Sequence, residues 1–202
     1  MQRQGLTRKK VYDILQRLMH ATIGLCVLGL AATGWGAELF EDGGDAAIWQ
    51  LHFLMGDVLG VTLLLRVVWG WVGPRHARWS DFWHPAAWLG ALKGRWAHAP
   101  RFGHDVMASA SYLAVYAVMA GMVVSGLGMA GVEHGTGPLG AWLFERVQLG
   151  EWLEEPHEAG AAVMMGFLVL HLGAMVWHQV RQRRPVLQSM ITGYQYQPTR
   201  ED

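Results

Sequence analysis

Four apolar runs, at about residues 15–35, 50–71, 107–129 and 159–180, dominate the chain. A helix needs roughly 20 mostly apolar residues to cross a hydrocarbon layer of ~30 Å. Each run meets that length. No water is present in such a layer to satisfy backbone polar groups, so segments of this kind cross it as helices. The pattern predicts an all-α integral membrane four-helix bundle, a single domain over residues 1–202. Composition agrees, with 52% hydrophobic residues and charge confined to the segments between the runs.

The net charge is zero, but the charges are sided. Five Lys or Arg occur up to Arg17, five more (Arg75, Arg78, Lys93, Arg95 and Arg101) lie in the 72–106 connection, and four follow residue 180. The first of the other connections holds Glu38, Glu41, Asp42 and Asp45; the last holds Glu133, Glu145, Glu151, Glu154, Glu155 and Glu158 against Arg146. The positive-inside rule therefore predicts that both termini and the 72–106 connection are cytoplasmic. The basic N-terminus has the outline of a secretory leader. Its apolar run is long for one, lacks a small-x-small cleavage site near its end and contains His20, so it is expected to remain as the first span. A lone Cys26 excludes an internal disulfide or a cysteine-held cluster. The basic residues lie where topology puts them, which leaves nucleic-acid binding unsupported.

Histidines inside these runs carry the functional signal. His157 and His171 are 14 positions apart, which places them within about 40° of one face and roughly 21 Å apart along the axis. His52 begins the second run and His20 lies early in the first. With alternating helix directions, His20 and His171 share the inner level, while His52 and His157 share the outer level. Two imidazoles facing each other from different helices suit a haem iron with two axial nitrogens. Zinc suits them less well, because it normally takes three or four protein ligands. Gly34, 14 positions after His20, would leave room for a flat porphyrin at the outer level, and Gly160 would do the same beside His157; close helix packing explains either glycine equally well.

The segments "YDILQRLMHA", "LHFLMGDVLGVTLLLRVVWGWVGPRHARWSDF", "FGHDVMASASYL", "HEAGAAVMMGFLVLH" and "VLQSMITG" resemble the bacterial cytochrome b561 family and the related cytochrome b subunits of nickel–iron hydrogenases. The resemblance runs over nearly the whole chain. It implies a bacterial inner-membrane protein with two haems b, passing electrons between membrane quinone and a redox partner, as a quinol/quinone oxidoreductase or the electron-transfer subunit of one. It implies His20, His52, His157 and His171 as the axial ligands. Asp57 is a departure, standing where relatives tend to have an uncharged residue.

Other residues keep two readings. Arg66, 14 positions after His52, either pairs with haem propionates or extends to the cytoplasmic interface. Asp57 points away from the His52 face, as a proton-path group or a neutral group bonded to a neighbouring helix. His178 is read as interfacial, and His104 as a helix cap or a haem-edge contact. His76, His84, His98 and His134 are read as solvated, and Met55, Met164 and Met165 as apolar filling rather than ligands. The inner-end groups Asp13, Arg17, His20 and His178 are the expected quinone contacts. The acidic loop 131–156 is expected either to dock a basic periplasmic c-type cytochrome or oxidoreductase subunit, or to be a solvated face. A haem-free proton-coupled transporter or membrane-anchor scaffold is the competing function.

Overall fold

The computed structural model describes residues 6–38, 46–95, 102–144, 146–181 and 186–198. Strand β1 (Leu6–Lys10) precedes α1 (Ile14–Glu38) and α2 (Ala46–Val72). After two 3-10 turns come α3 (Pro85–Leu92), α4 (Ala108–His134), the short α5 (Gly140–Leu143), α6 (Val147–Val180), α7 (Leu187–Thr192) and strand β2 (Tyr194–Pro198). Among the described residues, the helices long and apolar enough to cross a membrane are α1, α2, α4 and α6. This is an all-α multi-pass membrane fold.

The chain divides into two compact units. The central unit comprises Ala21–Leu65 and Val115–Leu168. There, all four long helices contribute to one core of Cys26, Leu59, Leu63, Met119 and Met164, with Ile23, Val27, Leu30 and Tyr116 packed around it. Met55 fills the space over Gly29, where a Cβ would fall within 2.2 Å of its sulfur. Met55 and Met164 thus serve packing, as their flexible apolar chains favour.

The terminal unit comprises the described parts of Met1–His20, Arg66–Ala114 and Val169–Asp202. It carries a two-stranded antiparallel sheet, in which Leu6 pairs with Pro198 and Lys10 with Tyr194. Gly193 joins this sheet to α1. It adopts φ 82°, ends α7, and its carbonyl accepts hydrogen bonds from Val11 N at 2.8 Å and Tyr12 N at 3.1 Å. A Cβ there would lie 2.5 Å from Tyr12 O, so both backbone conformation and space call for glycine. Paired strands at the two ends of the chain require those ends to lie on one side of a membrane, as an even number of spans demands.

Residues 131–156, expected as a loop, are largely helical: α4 runs on to His134 and α6 begins at Val147. Pro156 lies inside α6, where it forfeits a backbone bond and crowds the carbonyl four residues earlier. The extension is docked on α4, with Leu153 seated over Gly128 and Gly150 against Val132. Packing thus outweighs the proline. Glu151, Glu154 and Glu155 are exposed on this helical segment. The acidic connection 39–45 lies outside the described residues.

Candidate functional site

In the central unit, His52 on α2 faces His157 on α6, with ring centroids 6.5 Å apart and planes tilted by 59°. Thr33 Oγ1 lies 2.9 Å from His52 Nδ1 and donates its proton to Gly29 O at 2.8 Å. The hydroxyl oxygen can then accept from His52 Nδ1–H, beside the Leu30 backbone to which His52 also bonds. Ser125 repeats the arrangement on α4: its Oγ is 2.8 Å from His157 Nδ1 and donates to Met122 O at 3.1 Å. A hydroxyl thus stands at Nδ1 of each imidazole, the arrangement that anchors the second nitrogen of a metal-ligating histidine.

Each hydroxyl is followed by a glycine beneath the same ring. A Cβ at Gly34 would stand 3.6 Å from His52 Cε1, and one at Gly126 would stand 3.2 Å from His157 Cε1. Thr33, Ser125 and Gly126 were missed in the sequence. Their signal was the matched pair "TGWG" and "SGLG" on α1 and α4. Gly160 is a packing glycine, since a Cβ there would meet Met122 at 2.7 Å.

In the terminal unit, His20 on α1 and His171 on α6 have ring centroids 6.2 Å apart, tilted by 44°. Tyr112 meets His171 edge-on at 6.4 Å. Arg66 is 2% exposed, its guanidinium 4.7 Å over the Trp79 ring and 5.3 Å from that of Phe82. It packs as a buried cation on aromatic faces. An atom bridging two imidazole nitrogens at about 2 Å each leaves the ring centres roughly 6 Å apart. Both pairs have that spacing. Each pair offers two imidazoles, a set that would suit a haem better than zinc, which normally takes three or four protein ligands.

The terminal unit also buries a carboxylate among imidazoles. Asp81 Oδ2 accepts from His104 N and His104 Nδ1, each at 3.0 Å, and Oδ1 lies 3.6 Å from His76 Nδ1. The His104 ring stacks on Phe82 at 3.8 Å and meets Tyr12 edge-on at 5.7 Å. Burial pushes His104 and His76 below the ordinary imidazole pKa, with Asp81 opposing the shift, and pushes the Tyr12 phenol up.

Several expectations change here. His104 is no helix cap: Asp105 Oδ1 accepts from Met107 N and Ala108 N and starts α4 in its place. His76 is largely buried rather than solvated, and His84 Nε2 bonds to Asp81 O at 3.0 Å. His134 stays exposed, and His98 lies outside the described residues. Asp13 and Arg17 are engaged in the fold itself: Asp13 accepts from Trp69 Nε1 and Gln16 N, and Arg17 donates to Ile191 O and Asp13 O. His178 is half-buried, and Asp57 is exposed on α2.

The family model described as prokaryotic cytochrome b561 matches residues 11–193. The chain belongs to that family. As a cytochrome b561 it is a membrane b-type cytochrome working in electron transfer, which removes the haem-free transporter and scaffold readings. Its relatives include probable Ni/Fe-hydrogenase B-type cytochrome subunits. That of Rhizobium leguminosarum bv. viciae is 26% identical, over 95% of this chain and 90% of the relative. That of Bradyrhizobium diazoefficiens is 25% identical over 91% and 84%. The Ni/Fe-hydrogenase 1 subunit of Escherichia coli K12 is 24% identical over 91% and 89%.

Proposed function

We propose that this cytochrome b561 is a single membrane domain over residues 1–202 that holds two bis-histidine haems b, one between His20 and His171 and one between His52 and His157. It would pass electrons between membrane quinone and a partner across the bacterial inner membrane. The observation that carries this reading is the pair of facing imidazoles in each unit, at 6.2 and 6.5 Å. Haem b, when bound, supplies a one-electron ferric/ferrous couple. The chain's own part is to orient and to balance charge. Thr33 and Ser125 fix the His52 and His157 rings, Gly34 and Gly126 keep side chains off them, and Arg66 is assigned to the propionates of the His20–His171 haem. With both termini cytoplasmic, that haem is the inner one.

Quinone is assigned to the inner end. Asp13, Arg17, His20 and His178 are its assigned contacts, and the buried Asp81, His104 and His76 cluster adds further titratable groups to the same unit. Beside Asp81 in sequence, Trp79 and Ser80 join Trp71, Trp83 and Leu113 around an open apolar recess, against which an isoprenoid tail could lie. The redox partner is an oxidoreductase subunit or a periplasmic c-type cytochrome, and the names of the relatives favour a Ni/Fe-hydrogenase. A pyridine haemochrome assay of the purified, haem-loaded chain tests the reading. Two haems b per chain are expected, and a value near one would show that one histidine pair has been misassigned.

A further inference from the structure

Helix α2 has an outward line of residues that neither histidine pair uses. Gln50, Leu54, Asp57, Val61 and Leu64 are all exposed, the three apolar members at 59%, 58% and 69%. On the opposite side of the same helix, Leu59, Thr62 and Leu63 are buried. At 1.5 Å per residue, Asp57 stands about 17 Å from the start of α2 and about 22 Å from its end, which is mid-membrane depth for a spanning helix. Its short side chain cannot reach either interface, and it makes no hydrogen bond or ion pair among the described residues. Lipid offers no donor or acceptor there, so an intramembrane carboxyl in this setting is costly until something polar covers it.

The spacing of the line suits a second helix. Positions 50, 54, 57, 61 and 64 follow the alternation of four and three residues of a heptad seam, with Gln50, Asp57 and Leu64 at one set of seam positions and Leu54 and Val61 at the other. Spanning helices commonly pack in this left-handed geometry. Two copies of the chain inserted in the same orientation have parallel α2 helices, and a parallel seam sets identical residues of that first set opposite each other. Gln50 then meets Gln50 of the second copy, where each amide both donates and accepts. Asp57 meets Asp57, so the intramembrane carboxyl of each copy is covered by a polar group of the other. Both polar positions are therefore matched one heptad apart.

We infer that the Gln50–Leu64 face of α2 is the seam of a parallel homodimer, held in register by Asp57 and Gln50. Cysteine cross-linking of the haem-loaded full chain in nanodiscs tests it, because Cys26 is buried and does not compete. Leu54→Cys and Val61→Cys should each give a disulfide-linked dimer, whereas Val124→Cys, exposed on α4, should not. Asp57→Leu should shift the uncross-linked protein to monomer in light-scattering mass measurement at unchanged haem content. Asp57→Asn, which keeps a polar side chain there, should remain dimeric. If Leu54→Cys and Val61→Cys cross-link no better than Val124→Cys, or if Asp57→Leu keeps the parent mass, the face is covered by lipid or by another protein and the homodimer is wrong. The cysteine scan decides the matter even if Asp57→Leu does not fold.

Discussion

The two histidine pairs differ less in spacing than in what holds their rings. His52 and His157 are each gripped at Nδ1 by a hydroxyl, with a glycine under the ring. His20 makes no hydrogen bond among the described residues and faces His171, which lies against Tyr112. Spacing sets what fits between two imidazoles; an anchored N–H adds fixed orientation and a more basic ligand nitrogen. On the proposed assignment, the central site is therefore the more rigidly preset of the two. Its haem should hold the ferric state more strongly than it would without the hydroxyls.

The largest test of that contrast is the double variant Thr33→Val with Ser125→Ala. Loss of such anchors typically weakens metal binding by about 10–100-fold. Here the loss should fall on one haem only, and the midpoint potential of that haem should rise in a potentiometric titration while the other stays put. Equal shifts in both haems would erase the distinction between the sites.

Docking of a basic partner on the exposed carboxylates of the α6 extension comes next in size. Glu151, Glu154 and Glu155 changed together to Gln should slow association with such a partner at low salt by a factor on the order of 10. The difference should vanish in 1 M salt, where the screening length is ~3 Å. Stopped-flow mixing reads this directly, and haem content should not change. A triple variant that matches the parent at every salt concentration would leave these carboxylates as a solvated face.

A smaller effect separates the two glycines. Gly126→Ala places a methyl 3.2 Å from His157, tighter than ordinary contact, whereas Gly34→Ala places one 3.6 Å from His52, at normal contact distance. The absorption bands of the central haem should shift in Gly126→Ala and hold in Gly34→Ala.

The smallest effect belongs to the terminal unit and depends on pH. His104 has a depressed pKa from burial, so the unfolded chain binds its proton more readily than the folded one. Its stabilising contribution is therefore complete above the ordinary imidazole value of about 6.5 and is lost as pH falls through the lower folded value. His104→Phe keeps a ring on Phe82 without a titrating nitrogen. Its melting temperature should fall less than that of the parent between pH 7.5 and 5. Parallel curves would show that His104 does not titrate in this way.

What could be read in the sequence follows from where the signal is local. Helix length and the 14-residue histidine spacing are properties of single segments, so the four spans and the facing of the histidines were legible. The strand pairing was not, because Leu6–Lys10 is mostly polar and its partner lies at the other end of the chain. Helix α6 begins earlier than read because Leu153 packs over Gly128, a contact between segments that the proline and the glutamates concealed. Thr33 and Ser125 escaped because a hydroxyl in a spanning helix commonly bonds back to its own turn. Both do so here, and still stand at a histidine Nδ1.

The pairing of ligands is tested most directly by single alanine variants of the four histidines, with haem loss followed by redox-difference and low-temperature spectra. His52→Ala and His157→Ala should remove the same haem, and His20→Ala and His171→Ala the other, each leaving about one haem per chain. If His20→Ala and His157→Ala instead abolished one common haem, the two sites described above would be wrong.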